Sequence, residues 1–525
     1  MPRDVIFVDE LPCNATGKVV RRTLERIGLR MNTVETPTSA PFSVAIIGCG
    51  FGGLGAAIEL ERHGIGTYTV FEKGDGVGGV WRANHYPGAA CDVPSSTYSY
   101  SFELETEWSQ RFGTQHEIRA YLERTAVKYG VAPKISSNTE VIAATFDERC
   151  GRWQIELDDG ERQWFDAVIC ATGQLSRPKV PDIEGRETFS GNQFHSAQWD
   201  DAVDLAGKRV AVVGSGASAV QIVPAIVDRV DELDVIQRSP NWIGNKWNHK
   251  TNPCIRRLLR TVPGLARAQH NLEWLWYEMR VPLIYNRFDP LRAGLHAWLR
   301  YKIRREISDP QLRRKVTPDY KAGCNRLLLS SDWYPALDRS HVSVHAEGVT
   351  RVTPSGLVLG DGTTVDADVI VWCTGFTATE YLAPIDITGR GGRKLHTEWK
   401  SGPEAYMGIT VAGYPNLFMI YGPNTGSLTN TIIFLLEKQA RYARKAIEHS
   451  ARTGRWLDVR KSVQDEYNRR LRQRLSHTVF TSGCPGWYHT AEGKVVAVWP
   501  GSHIAYARAT ARVDLTAYET GQRSA

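Results

Sequence analysis

Two glycine-rich stretches, each followed at the same distance by a charged residue, carry the clearest chemistry in this chain. Gly48, Gly50 and Gly53 form GxGxxG behind the apolar run 44–47, and residues 54–63 have helical character. A second apolar run, 68–71, ends at Glu72, 24 positions after Gly48 (72 − 48). In a strand–turn–helix–strand unit the first glycine makes the turn and the second lets backbone approach a pyrophosphate. The third lets helix and strand pack closely, and an acidic residue about 20 positions on accepts hydrogen bonds from an adenosine ribose. Glycines alone would mark no more than a tight turn. The strand, helix and glutamate in the right order make this a dinucleotide site.

The pattern recurs. Residues 209–213 read as a strand, Gly214, Gly216 and Ala219 form GxGxxA, and 219–227 read as a helix. The next strand, 233–237, ends at Arg238, again 24 positions on (238 − 214). An arginine where the acid would stand suits a 2′-phosphate, which favours NADP over NAD, and Ser239 joins it as a binding candidate. A plain surface charge is the blander reading of Arg238. Two sites of different preference imply two cofactors, most economically FAD in the first and NADPH in the second. Two further apolar runs, 168–169 and 369–371, end in small residues (Ala171-Thr172-Gly173 and Thr374-Gly375), as strands that pass close to a nucleotide do.

Between the two units, Phe189, Gly191, His195 and Trp199, followed by Asp200, match FxGxxxHxxxW[P/D]. Upstream, Gly79 and Trp81 lead through Tyr86-Pro87-Gly88 to Asp92, matching GxWxxxxYPGxxxD. With these motifs the chain resembles the Baeyer–Villiger monooxygenases, class B flavoprotein monooxygenases, from about residue 41 to its end. The stretch 414–425 is most similar to the 4-hydroxyacetophenone monooxygenase branch. The resemblance implies an α/β fold with two Rossmann-like dinucleotide-binding domains, for FAD and NADP, and a helical insert. It implies an NADPH- and O2-dependent enzyme that converts ketones to esters or lactones through a peroxyflavin. Gly79 and Trp81 would belong to the flavin site. His195 and Trp199 would couple domain movements, a role preferred for His195 over proton transfer. The active-site arginine of the family corresponds to Arg326, in Gly323-Cys324-Asn325-Arg326, with Asp92 orienting it. A fixed cation suits this chemistry because it stabilises developing negative charge and does not titrate. One departure stands out: Asn325 occupies a position where relatives often have lysine on the NADP phosphate, which weakens the NADPH preference without reversing it.

The elements that must position these residues imply a division. Residues 41–176 and 376–525 would hold FAD, 177–245 and 324–375 would hold NADP, and 246–323 would form the insert. Hydrophobic residues make up 42% of the 525 and charged residues 23%, which excludes disorder throughout. The net charge of +7 is uneven: residues 250–316 hold 15 Lys or Arg and 5 Asp or Glu, a net +10. Trp274, Trp276, Tyr277 and Trp298 lie in the same segment. Such a surface could bind membrane or nucleic acid; a solvated helical insert with its tryptophans packed inward is the preferred reading. The nine cysteines lack metal-ligand spacing, so no metal is expected and a reduced, cytoplasmic protein fits. No apolar run reaches 18 residues, and no signal-peptide pattern opens the chain. The partners expected are a small-molecule ketone and O2, without nucleic acid or stable membrane insertion.

Residues 2–24 resemble the C-terminal tail of acyl-CoA synthetases, where a lysine at the position of Lys18 assists adenylation. The ATP-binding body of those enzymes does not precede it here, which leaves a fusion remnant, a displaced start or a docking tail; the first two are preferred, with no ligase activity expected. Among oxidative alternatives, an N- or S-oxidising flavin-containing monooxygenase ranks second. Those enzymes usually carry Tyr at the Trp199 position, and Asp92 also argues against them. A non-oxygenating oxidoreductase is a further rival.

Overall fold

The computed structural model describes residues 41–483 and 486–523, so the ligase-like stretch and Lys18 lie outside the described residues. Two five-stranded sheets organise the unit that begins at Ser43. In chain order their strands are β1 (Ser43–Ile47), β2 (Thr67–Glu72), β3 (Ile135–Ser137), β4 (Ala167–Cys170), β5 (Asn192–His195), β6 (Arg209–Val213), β7 (Glu232–Ile236), β8 (Val342–His345), β9 (Val369–Trp372) and β10 (Leu417–Met419). The first sheet has the order β10-β4-β1-β2-β3 and the second β8-β7-β6-β9-β5. All pairings within both are parallel. A parallel sheet covered on both faces needs strands that are apolar throughout, and β1, β4, β6 and β9 read SVAII, AVIC, RVAVV and VIVW. Val44, Ile46, Val210, Val212 and Ile370 are fully buried. Each such side chain contributes about 1.5–3 kcal/mol relative to exposure.

In each sheet the chain leaves the central strand, β1 or β6, to build one side and returns later to pair on the other, although in the second sheet the far-edge strand β5 is laid down before β6. This strand-order reversal opens a crevice beyond the carboxyl ends of the strands, where doubly wound folds hold ligands. A helix starts at each crevice: α1 (Phe51–His63) after β1 and α2 (Ala217–Ile226) after β6. These are the strand–turn–helix units that the glycines and apolar runs predict, with boundaries displaced by up to three residues.

Four helices fill much of the basic segment: α3 (Pro253–Thr261), α4 (Leu265–Glu278), α5 (Asp289–Glu306) and α6 (Pro310–Val316). A long helix, α7 (Ile432–Thr453), packs on α1. The inward-packing expectation for the aromatic residues of the basic segment holds only in part. Tyr277 is buried and Trp274 and Trp298 are half-buried, but Trp276 is 58% exposed. Its place on the helix explains this: α4 turns His270, Tyr277 and Glu278 toward the body, and Trp276 falls on the opposite side. Among the described residues no helix is long and apolar enough to cross a membrane.

Candidate active site

The turn after β1 is shaped by backbone approach. Gly48 has φ +98°, and a Cβ there would stand 2.6 Å from the Ala171 carbonyl oxygen on the neighbouring strand end. Gly50 caps α1 without any side-chain cap, leaving the amide end of the helix to face the crevice. Gly79 comes so close that its Cβ would lie 2.9 Å from the Gly50 Cα. The Glu72 carboxylate closes the loop: Oε2 accepts from the Cys49 amide at 2.7 Å and Oε1 from the Gly74 amide at 2.8 Å. Each oxygen keeps a lone pair for a further donor.

These residues border a cavity of about 700 Å³. Gly48, Gly50, Glu72, Gly79 and Trp81 line one part of it, and Asp92 and Arg326 another. The Trp81 indole donates to the Tyr98 hydroxyl at 3.2 Å. Asp92 and Arg326, 234 positions apart, form an ion pair in which one guanidinium nitrogen, Nη2, lies 2.7 Å from both carboxylate oxygens. The Asp92 charge holds the guanidinium above its ordinary range, against the opposing effect of burial, so it stays cationic at any working pH.

The loop that presents Asp92 is clamped to the second fold. The Tyr86 hydroxyl donates to Gln221 Oε1 at 3.0 Å, and Gln221 Nε2 donates to the Ala90 carbonyl at 2.8 Å. Gly88 has φ +80°, and a Cβ there would lie 2.5 Å from the Gln221 carbonyl oxygen of α2. Ser218 and Gln221, both on α2, therefore share the cavity wall with the first glycine-rich loop.

The second glycine set builds its own turn. Gly214 has φ +124°, with a Cβ position 2.3 Å from the Cys373 carbonyl oxygen. Gly216 caps α2, and Ala219 is fully buried beneath it. Arg238 and Ser239 are exposed just past β7, and the Ser239 carbonyl accepts from the Ser215 hydroxyl at 2.8 Å. None of these five lines the cavity around Arg326; they sit at the carboxyl end of the second sheet.

His195 ends β5 and is buried. Its Nδ1 accepts from the Ala197 amide at 3.1 Å, which leaves the proton on Nε2 to donate to the Gly375 carbonyl at 3.0 Å. Burial lowers its pKa, so it is neutral near pH 7. The ring stands 5.5 Å from Phe376, which lines the cavity, while His195 itself does not. Trp199 packs edge-on against Phe194 at 5.0 Å, and its carbonyl is 3.2 Å from His85 Nε2 in the Asp92 loop. Both residues thus tie connecting segments together.

The sequence reading missed several neighbours. Tyr421 lines the cavity with φ +67°, a conformation that costs a bulky residue energy, and its amide donates to Gln439 Oε1 at 2.8 Å. Lys246 is half-buried over the Phe112 ring at 5.3 Å. Burial pulls its pKa down, with Asp92 the largest opposing influence. Cys324, two positions before Arg326, is fully buried and disulfide-bonded, a correction to the all-reduced reading; Cys49, Cys91, Cys150, Cys170, Cys254 and Cys373 are free. None of these three residue types announces its partners in the sequence.

The family model for pyridine nucleotide-disulphide oxidoreductases matches residues 45–269, which contain both glycine-rich turns. A protein of Streptomyces coelicolor named Baeyer-Villiger monooxygenase is 43% identical over 481 residues, 91% of this chain and 92% of the relative. A crystal structure of OTEMO in complex with FAD and NADP is 27% identical, with a TM-score of 0.84 over 92% of this chain and 100% of that one. Closed cyclohexanone monooxygenase is 26% identical, also with a TM-score of 0.84, over 92% and 99% of the two chains.

Proposed function

This chain belongs to the Baeyer–Villiger monooxygenase family, and from that membership we propose that it oxygenates a ketone to an ester or lactone with FAD, NADPH and O2. The single observation that carries the reading beyond the family is the Arg326–Asp92 pair on a cavity shared with the first glycine-rich turn.

The residues present fit the cofactors. The first crevice offers glycines where a Cβ would crowd backbone, an uncapped helix amide end and a carboxylate with spare lone pairs, which suit the pyrophosphate and ribose of FAD. The second offers the same turn with Arg238 and Ser239 beyond it, which suit NADPH. On this reading residues 41–176 and 376–525 hold FAD, residues 177–245 and 324–375 hold NADPH, and 246–323 are the insert.

Bound FAD, once reduced by NADPH, supplies the activation of molecular oxygen. One oxygen atom enters the bond between the carbonyl carbon and its neighbour, and the other leaves as water. The chain's own contribution is positional and electrostatic. Arg326 provides a permanent cation where negative charge develops on the ketone oxygen. Asp92 fixes the guanidinium, and its loop is in turn held by Gln221. His195 stays a neutral donor to the Gly375 carbonyl and orients the segment that carries Phe376.

The test is product analysis with a panel of cyclic, aryl and steroid ketones alongside a sulfide, under NADPH and air. Ester or lactone formed in step with NADPH consumption supports the proposal. Oxidation of nitrogen or sulfur compounds without ester from any ketone would transfer the chain to the second-ranked chemistry.

A further inference from the structure

Of the fifteen large hydrophobic residues that stand exposed among the described residues, ten fall between Trp247 and Tyr301. Scattered exposed hydrophobics need no explanation, but a concentration of this kind marks a surface with a partner. Its centre is the α3–α4 hairpin. α3 buries no residue at all, and Ile255, Leu258 and Val262 at its end are 51%, 50% and 40% exposed. Along α4 and its cap, Leu272, Leu275, Trp276 and Met279 are 70%, 50%, 58% and 58% exposed. Their spacing of 3, 1 and 3 residues places the four on one stripe of the helix. The other face of α4 is already docked on the body through His270, Tyr277 and Glu278.

Charge on the hairpin is sorted the same way. Residues 253–280 contain five arginines and two glutamates. Both glutamates are turned inward: Glu273 pairs with Arg111 at 2.9 Å, and Glu278 lies 2.9 Å from His503 and accepts from Asn430 at 3.1 Å. Arg267 donates to the Ser101 carbonyl and Arg280 lies over the Tyr277 ring at 4.0 Å, which leaves Arg256, Arg257 and Arg260 of α3 beside the apolar stripes; the exposed contact of Arg260 with Glu107, at 3.6 Å, is too weak to neutralise it.

We propose that the α3–α4 hairpin docks this enzyme on an anionic lipid surface. The chemistry selects that partner. A second copy of the chain, related by a two-fold axis, would set this basic face against itself. Nucleic acid would engage the arginines but leave Leu272, Leu275 and Met279 in water. An anionic bilayer answers both features, with leucine and tryptophan entering the acyl boundary and arginines meeting headgroups. At 9 and 14 residues the helices are too short to span, since spanning needs about 20, so the attachment is peripheral. The docked face also lies near the cavity. Asn430, a cavity residue, donates to the Trp274 carbonyl on α4 at 3.0 Å. A lipophilic ketone dissolved in the bilayer would therefore reach the enzyme beside its site. The docking itself does not depend on the ketone reading.

The test is flotation of the full-length holoenzyme with vesicles of phosphatidylcholine alone and of phosphatidylcholine mixed with phosphatidylglycerol. Binding to the mixed vesicles, weak binding to the neutral ones and release by added salt are expected. The Leu275→Gln/Trp276→Gln double variant should lose most of the binding while keeping its cofactor and its melting temperature, because both side chains are exposed. Each of Arg256→Gln, Arg257→Gln and Arg260→Gln should weaken binding to the mixed vesicles roughly fivefold. No binding to anionic vesicles would overturn the proposal. So would a concentration-dependent dimer that the double variant abolishes, or tighter binding to an oligonucleotide than to the vesicles.

Discussion

A Cβ added to Gly53, in the first turn of α1, would stand 1.8 Å from the carbonyl oxygen of Gly48 in the loop that precedes the helix. Neither atom can move, because Gly48 is pinned by its own amide, which donates to the Phe71 carbonyl at 2.8 Å. The turn therefore exists only with glycine at 53. Gly53→Ala should yield protein that loses its yellow colour on purification and melts at a lower temperature. Retention of FAD at full occupancy by this variant would show that the loop yields where the structure says it cannot.

Gly216 is the contrasting case. A Cβ there meets nothing within 4 Å, and the residue sits at φ −74°, which alanine adopts freely. Gly216→Ala should fold and bind FAD normally, and its defect should appear only when a pyrophosphate must approach the backbone at α2. A raised KM for NADPH with unchanged melting temperature is the expected result. An unchanged KM would move NADPH away from this turn.

Arg238 is exposed beyond β7, free to meet a 2′-phosphate. Losing a charge-assisted contact costs about 1.5–3 kcal/mol, or roughly ten- to hundredfold in selectivity. Arg238→Ala should narrow the preference for NADPH over NADH by that factor, chiefly through KM for NADPH. Steady-state kinetics with both cofactors check it, and a preference that survives intact would shift the 2′-phosphate to another cation.

His195 gives a pH dependence with a definite sign. Its pKa is lowered by burial in the folded chain, so the unfolded state takes up protons first as the pH falls. Its contribution to stability is present above the ordinary histidine pKa, about 6.5, and is lost as pH falls through and below that value. His270 is lowered for the same reason and acts in the same direction. The melting temperature should fall between about pH 7 and pH 5, and His195→Gln should flatten part of that slope. If His195 only orients the Gly375–Phe376 segment, the variant should also consume NADPH with less ester formed, and its kcat profile should keep every ionisation. Disappearance of a near-neutral ionisation would make His195 a proton carrier instead.

What the sequence made legible is what is encoded locally. Apolar runs followed by glycines specify β1, α1, β6 and α2 within about ten residues of each other, and a charge at the end of the next strand follows from the constant length of the unit. The clamp from Tyr86 to Gln221 spans 135 positions and rests on ordinary residue types, so no spacing rule points to it. The strained backbone of Tyr421 is invisible for the same reason: tyrosine has no preference for positive φ, and only the surrounding fold imposes it. Trp276 stands exposed where the sequence points inward, because a tryptophan at a helical position reads as core until the docked face of the helix is known. Arg326 and Asp92 are legible only through resemblance, and the 2.7 Å contact between them only through the fold.

The Arg326–Asp92 pair supports the sharpest test. The guanidinium nitrogen is held 2.7 Å from the carboxylate, while about a third of the arginine side chain remains accessible on the cavity it lines. One side of the group is thus committed to Asp92 and the other is open to substrate. Removing a preorganised donor from such a position typically costs about 2.7–4 kcal/mol, a hundredfold to a thousandfold in rate. Arg326→Ala should reduce ester formation by that factor while retaining FAD, because none of the glycine turns depends on it. Arg326→Lys should recover part of the rate, since it returns the charge without the planar fork. Asp92→Ala should fall between the original enzyme and Arg326→Ala, because the arginine stays cationic and loses chiefly its orientation. Asp92→Asn, which keeps the shape and drops the charge, separates orientation from electrostatics. Ester yield and NADPH consumption measured together for the four variants give the ordering. Ester formed by Arg326→Ala at the unmodified rate would reduce the pair to a structural tie between the Asp92 loop and the segment that carries Arg326.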